Sequence, residues 1–229
     1  MTYFLGLDLG QAQDPTALAI LERHERPGTA KPETWKTFHP GGGVGEFTTV
    51  SRTPGPAAFT CSHLERLRLG TPYPAIADHV AALLDRAPLK GRTHLVVDAT
   101  GVGRPVVDML RQRELNPIAI TITGGDSVTY DHGWRVPKRD LVGVVQVLLQ
   151  TDRLKFAAGI PTVPVLVQEL LAFRVKIDPL TAYDSYGSWR EGSHDDLVLA
   201  VAVAAWYGER PALPTLPDLP GSAVYFSRG

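Results

Sequence analysis

Gly192-Ser193-His194-Asp195-Asp196-Leu197-Val198 opens the stretch that decides the fold of this chain. Every residue from Leu197 to Trp206 is apolar, which predicts a helix that is buried on most sides. Two adjacent acids therefore stand at the first turn of a buried helix. One explanation is a capping box, Ser193-x-x-Asp196, since acids at a helix N-terminus gain about 0.3 to 1 kcal/mol from the helix dipole. The alternative is that the pair belongs to a functional site.

Two other acids favour the functional explanation, because each ends an apolar strand. Asp8 ends Phe4-Leu-Gly-Leu-Asp8, and Asp98 ends Leu95-Val-Val-Asp98. If these strands are neighbours in a sheet, their carboxylates lie close together, and the Asp195-Asp196 helix adds a third acid by packing across the sheet. Isolated acids at strand ends are also common turn formers, so the spacing alone leaves both interpretations open.

Converging carboxylates without basic partners repel one another and cannot all stay ionised near pH 7. A pair of divalent cations resolves this conflict, and hard oxygen ligands suit Mg²⁺ or Mn²⁺. Two such ions can activate water and stabilise the leaving oxygen of a phosphodiester. The acids therefore predict metal-assisted phosphodiester hydrolysis.

The hydrophobic pattern predicts a mixed α/β sheet, with antiparallel hairpin strands first, parallel strands after them and helices on the flanks. Strands are predicted at residues 3–9, 17–21, 57–67, 94–97 and 117–123, with a short strand or hairpin arm at 173–178. Helices are predicted at residues 73–85, 106–113, 138–150 and 163–173, before the final apolar helix.

At 229 residues the chain suits one domain, which we place at residues 1–210. Between residues 25 and 56 the composition shifts to Pro, Gly, Thr and charged residues, which predicts a long loop or an excursion between strands. Residues 211–229 are rich in proline and predict a tail or linker.

Charge and cysteine content narrow the function classes. The 23 basic and 24 acidic residues give a formal charge of −1, so contact with nucleic acid requires a local basic patch. The single cysteine, Cys61, excludes an internal disulfide and a cysteine-rich zinc site. No signal peptide and no apolar run near the roughly 18 residues of a membrane span is present, so we expect a soluble, intracellular protein without a membrane partner.

Five segments, in order over residues 3–207, resemble the nuclease domain of phage large terminases. They are Leu5-Gly-Leu-Asp8-Leu-Gly10 with Asp14-Pro-Thr16, His63-Leu-Glu-Arg66-Leu-Arg-Leu-Gly-Thr-Pro-Tyr73, Val96-Val-Asp98-Ala-Thr-Gly-Val-Gly103-Arg-Pro-Val-Val-Asp108, Val136-Pro-Lys138-Arg-Asp-Leu141, and His194-Asp195-Asp196-Leu197. The resemblance implies a ribonuclease H-like fold and a two-metal endonuclease that cuts concatemeric viral DNA during packaging.

The resemblance also implies roles for the acids. Asp8 would bridge the two metal ions, Asp98 would be the second acid, and Asp195 or Asp196 would be the third. The last two lie about 100° apart around the helix and need not face the same ion, so the choice between them stays open.

Cofactors and partners follow from the same resemblance. They are two divalent cations, Mg²⁺ or Mn²⁺, double-stranded DNA, and a packaging ATPase, small terminase or portal, in the cytoplasm of a bacterium that is infected by a phage or carries a prophage. The chain has no Gly-x-x-x-x-Gly-Lys-Ser/Thr loop of an ATPase motor. We therefore expect either an excised nuclease domain or a free-standing relative.

Several basic residues and a histidine are secondary candidates. Lys138 is predicted as an auxiliary group that contacts a phosphate near the metals, and His194 as a metal neighbour or proton shuttle. A solvated first turn and a backbone-bonded histidine are the respective structural alternatives. Candidates for contact with the DNA backbone, each also explicable as a surface residue, are Arg66, Arg68, Arg104, Arg135 and Arg139.

Two rival functions remain. An ATPase or sugar kinase of the actin-like superfamily shares the sheet topology but needs further phosphate- and adenosine-binding turns, for which Gly124-Gly125-Asp126 is a faint candidate. A non-catalytic nucleic-acid-binding module could keep the fold without the reaction. The retained acids argue against this second rival, because buried carboxylates without a function cost stability.

Overall fold

A computed structural model gives the fold and describes residues 1–10, 14–38, 44–53, 55–101, 103–175 and 195–210. The strands are β1 (Thr2–Asp8), β2 (Ala17–His24), β3 (Thr29–Phe38), β4 (Val44–Thr53), β5 (Ala58–Arg66), β6 (Thr93–Asp98), β7 (Ile118–Thr123), β8 (Thr129–Tyr130), β9 (Trp134–Pro137) and β10 (Leu154–Phe156). The helices are α1 (Tyr73–Leu84), α2 (Gly103–Arg111), α3 (Lys138–Gln150), α4 (Val163–Val175) and α5 (Asp196–Gly208).

Eight strands form one sheet in the order β10-β5-β2-β1-β6-β7-β9-β8. Strands β1, β2 and β5 pair antiparallel, whereas β6, β7 and β9 continue from β1 as parallel neighbours. The predicted mixed sheet, with an antiparallel opening and a parallel continuation flanked by helices, is confirmed. Its strand order is consistent with a ribonuclease H-like fold.

Hydrophobic clusters cover both faces of this sheet. On one face α5 packs against β1 and β2, with α3 beside it, and the residues from Asp196 to Trp206 are all buried. On the other face, α1 and α2 contribute Ile76 and Leu110 to a cluster with Leu5 and Leu7 of β1. The apolar run that predicted a helix buried on most sides thus forms the central helix of the fold.

Gly6 lets β1 and α5 approach each other closely. A Cβ atom at this position would overlap the backbone carbonyl oxygen of Ala200 in α5. The backbones of Gly6 and Ala200 both lie in the core of the fold. Neither can shift without moving the whole strand β1 or the whole helix α5. The close contact of these two backbones fixes where α5 begins relative to the end of β1.

We expect Gly6→Ala to lower the free energy of unfolding by more than about 3 kcal/mol, because overpacking here displaces backbone rather than a flexible side chain. Urea denaturation measures the loss. Gly143→Ala is the control: it lies inside α3 with open space around its Cβ position, so it should stabilise the protein by about 0.5 to 1 kcal/mol. Equal effects of the two substitutions would contradict the close approach.

The region predicted as a long loop or excursion at residues 25–56 contains an antiparallel pair of ten-residue strands, β3 and β4, which forms a separate two-stranded sheet. The composition-based expectation of a loop is therefore wrong for these strands. Three short strands, β8, β9 and β10, also escaped prediction, since two to four residues are too few to show a period of two.

The strand or hairpin arm that is predicted at residues 173–178 is wrong for its first three residues. Residues 173–175, predicted to begin a strand or hairpin arm, continue α4 to Val175. Residues 176–178 and the predicted tail at 211–229 lie outside the described residues. Among the helices that the structure describes, none has the length and apolar character needed to cross a membrane.

Candidate carboxylate site

Asp8 and Asp98 are register partners at the carboxyl ends of the neighbouring parallel strands β1 and β6. Asp98 is buried, at 6% exposure, and its Oδ1 accepts a hydrogen bond of 2.8 Å from the backbone N–H of Thr100. The two carboxyl groups are also close enough to interact with each other as hydrogen-bond partners. The sheet therefore places these two acids side by side.

The electrostatics of the pair reflect a concentration of negative charge. Burial, followed by the charges of Asp98, Asp195 and Asp196, raises the pKa of Asp8 well above its ordinary value. Burial also raises the pKa of Asp98, although the hydrogen bonds from Thr100 and the charge of Lys138 oppose this shift. The acids at the two strand ends and at the start of α5 thus influence one another's ionisation.

Asp195 lies just before α5 and faces a lysine. It occupies the N-cap position, yet its side chain makes no capping hydrogen bond to the helix. Instead, Lys138 Nζ donates to Asp195 Oδ2 at 2.7 Å. Lys138 is the first residue of α3 and directly follows β9, so it stands at the same edge of the sheet as Asp8 and Asp98.

Asp196 has a different environment, although it is the next residue. It is buried, at 4% exposure, and Arg66 binds both of its oxygens: Nε donates to Oδ2 at 2.7 Å and Nη2 donates to Oδ1 at 2.8 Å. Arg66 also pairs with Glu169 of α4. The Arg66 donors thus face two carboxylates, which is a different role from the predicted contact with DNA.

Glu169 is a residue that the sequence reasoning missed. It is 7% exposed, and its Oε2 accepts a hydrogen bond of 3.2 Å from the backbone N–H of Val198 in α5. Burial and the charge of Asp196 raise the pKa of Glu169 to about 7, and they outweigh the opposing effect of Arg66. The signal available in the sequence was one acid, preceded by Gln168, inside the mostly apolar segment Val163–Phe173.

The capping-box interpretation does not match this geometry. In a capping box the acid occupies the third helical position, whereas Asp196 is the first residue of α5 and its carboxylate binds Arg66. Ser193, the other half of the predicted box, and His194 lie outside the described residues.

Of the remaining basic candidates, Arg68, Arg135 and Arg139 have side chains that the structure describes. Arg68 is exposed and lines a cavity of about 180 Å³ together with Thr16 and Tyr73. Arg135 is exposed on β9 and lines a groove of about 590 Å³. Arg139 forms an ion pair of 2.8 Å with Asp126. Arg104 falls within α2, but its side chain is not among those that the structure describes.

The donor chemistry of the site fits a hard divalent cation. Asp8, Asp98 and Asp195 offer only oxygen ligands, and their mutual repulsion is the condition that a bound cation relieves. Within the described parts of the chain, no group of three or more His, Cys, Asp or Glu side chains is arranged to hold a metal ion. The metal pair therefore stays a prediction from the chemistry of the acids.

The raised pKa of Asp8 predicts that Asp8→Asn stabilises the metal-free protein. An acid whose pKa is higher in the folded state than its ordinary value of 3.8 loses stability as the pH rises above 3.8. Asparagine removes this loss, so the gain in free energy of unfolding should be larger at pH 8 than at pH 5. Urea denaturation in EDTA measures it, with the exposed Asp131→Asn as control. A destabilised Asp8→Asn at pH 8 would contradict the crowding of charge.

Comparison with known proteins leaves the family open. No known protein-family profile matches this sequence, and no curated protein sequence matches it. Among solved structures, the crystal structure of the large terminase nuclease from thermophilic phage G20c is similar, with a TM-score of 0.49 and 16% sequence identity over 89% of this chain and 80% of that chain. An identity of 16% transfers no residue role to this chain.

Proposed function

We propose that this protein is a metal-dependent endonuclease that hydrolyses DNA phosphodiester bonds by a two-metal mechanism. The observation that carries the proposal is the side-by-side placement of Asp8 and Asp98 at adjacent strand ends, with the Asp195-Asp196 pair close enough to raise the pKa of Asp8. Ionised carboxylates that lie this close together repel one another and destabilise the fold. A bound cation would relieve this repulsion.

In this proposal the acids of the site bind the metal ions and Lys138 binds the substrate. Asp8, Asp98 and a third acid from the Asp195-Asp196 pair would hold the ions, Mg²⁺ or Mn²⁺. When bound, such ions supply an activated water and stabilise charge on the leaving oxygen. Lys138 Nζ provides a fixed positive charge beside Asp195, where a phosphate oxygen of the substrate can pair with it.

Double-stranded DNA is the substrate that we propose. The net charge of −1 gives no general attraction to phosphate, so local cations have to guide the backbone toward the acids. The exposed Arg68 and Arg135 are the described candidates for this role. A place in phage DNA packaging, with an ATPase, a small terminase or a portal as partner in a bacterial cytoplasm, is a proposal that follows from the five resembling segments.

The rival functions have less support. Gly124-Gly125-Asp126, the faint candidate for a nucleotide-binding turn, is an exposed bend after β7, and Asp126 pairs with Arg139. A purely structural module has no use for the Asp8–Asp98 pair, whose burial opposes ionisation. Both rivals predict no cleavage of DNA.

Incubation of supercoiled plasmid with the purified protein tests the proposal. Nicked and linear products are expected with Mn²⁺ or Mg²⁺, and none with EDTA. Ca²⁺ serves as a control cation that binds oxygen ligands with a less constrained geometry than Mg²⁺. Intact plasmid under every metal condition, with folded protein, would contradict the proposed activity.

A further inference from the structure

The residue at the N-cap position of α5 does not cap the helix with its side chain. The first N–H groups of a helix have no partner within the helix, and an Asp at the N-cap position ordinarily accepts from one of them. Asp195 occupies that position but makes no capping hydrogen bond, and its Oδ2 accepts from Lys138 instead. Another group has to serve the buried N–H donors of the first turn.

Glu169 is that group. Its Oε2 accepts from the backbone N–H of Val198, which is the third residue of α5 and the donor that an N-cap side chain normally serves. Glu169 comes from α4, so the cap is supplied by a separate helix. Arg66 of β5 holds the other oxygen, Oε1. The Glu169 carboxylate is therefore held through one oxygen by α5 and through the other oxygen by β5.

Arg66 also determines the environment of Asp196. Its Nε and Nη2 bind both oxygens of that carboxylate, and the Asp196 side chain is 5% exposed. A bidentate pair of this kind fixes the orientation of both planar groups. Of the two adjacent acids, Asp196 is engaged with the interior, whereas Asp195 lies at the edge that carries Asp98 and Lys138.

We propose that Glu169 and Arg66 are positioning residues that make Asp195, and not Asp196, the third metal-binding acid. Glu169 caps α5 in place of Asp195, and Arg66 neutralises Asp196. Together they leave the Asp195 carboxylate, which pairs with Lys138, at the edge of the sheet that carries Asp8 and Asp98. This inference rests on the proposed function, because it concerns the same carboxylate site. It makes a separate claim about which of the two adjacent acids binds metal and which residues position that acid.

Two substitutions of Glu169 separate capping from simple packing. Glu169→Gln keeps an oxygen that can accept from the Val198 N–H, whereas Glu169→Leu fills the space without an acceptor. In EDTA, Glu169→Leu should raise amide hydrogen exchange at Val198 at least about tenfold, and Glu169→Gln should stay near the wild type. Loss of a residue that orients a metal ligand typically weakens metal affinity about 10- to 100-fold. We expect a loss in this range for Mn²⁺ binding to Glu169→Leu, measured by electron paramagnetic resonance.

Substitution of the two adjacent acids gives a second test that does not depend on Glu169. Asp195→Asn should weaken Mn²⁺ binding at least about tenfold. Asp196→Asn should change it less than about threefold, with circular dichroism to verify that both variants are folded. The opposite ranking, or unchanged Mn²⁺ affinity in a folded Glu169→Leu, would overturn the positioning role.

Plasmid cleavage by the same proteins distinguishes this inference from the proposed function. If the wild type binds Mn²⁺ with the expected ranking of variants but cuts no DNA, the endonuclease proposal fails and the assignment of Asp195 stands. If the wild type cuts DNA and Asp196→Asn is the variant that loses Mn²⁺, the assignment of Asp195 fails alone. A wild type that binds no Mn²⁺ overturns both.

Discussion

Asp8→Asn and Asp98→Asn are each expected to lower the rate of plasmid cleavage by at least about 100-fold, a rise in the reaction barrier of at least about 2.7 kcal/mol. An amide has the size of the carboxylate but lacks the negative charge that holds a divalent cation. Because the two acids stand side by side at adjacent strand ends, neither can replace the other. The measurement is the rate of nicking at saturating Mn²⁺.

Controls separate this loss from unfolding. Asp8→Asn is expected to be more stable than the wild type without metal, so its loss of activity cannot come from a disrupted fold. Asp131→Asn, whose side chain is 82% exposed, should cut at the wild-type rate. If both strand-end variants cut as fast as Asp131→Asn, the assignment of the carboxylates to the reaction is wrong.

The second large effect is expected in stability. Arg66→Met leaves the carboxylates of Asp196 and Glu169 buried without their cation, and breaking a buried ion pair in this way costs about 3 to 5 kcal/mol. Urea denaturation at pH 8, where the carboxyls are most strongly driven to ionise, measures the loss. Arg68→Met is the matched control, because Arg68 is exposed two residues away and should change stability by less than about 0.5 kcal/mol.

A multiple variant tests the cause of that loss. Adding Asp196→Asn and Glu169→Gln to Arg66→Met removes the two unpaired charges and should recover much of the stability. Equal costs for Arg66→Met and Arg68→Met would show that the cluster is not a buried ion network. A variant that stays as unstable as Arg66→Met alone would instead assign the loss to packing.

The sequence predicted the central part of the fold because its patterns there are strong. The uninterrupted apolar run of α5 and the apolar strands that end at Asp8 and Asp98 mark buried elements, and the structure contains each of them close to its predicted bounds. The antiparallel opening and parallel continuation followed from the order of these elements. The juxtaposition of Asp8 and Asp98 depends only on β1 and β6 being neighbours.

The difference between Asp195 and Asp196 could not be predicted from sequence. It depends on Arg66, which is 130 positions from Asp196, and on Glu169, which is 103 positions from Arg66. No local pattern connects residues at such separations; only the packing of α4 and α5 against the sheet brings them together. The missed hairpin of β3 and β4 has a similar cause, since pairing between the two strands replaces the core contacts that give a strand its pattern.

The most direct test of the central claim is a crystal structure of the wild-type protein with Mn²⁺, read from the anomalous difference density. We predict two peaks, about 3.5 to 4 Å apart, with Asp8 bound to both ions and with Asp98 and Asp195 among the other ligands. Asp196 should remain paired with Arg66. A map without peaks at the ends of β1 and β6 would contradict the account that these carboxylates form a metal-dependent nuclease site.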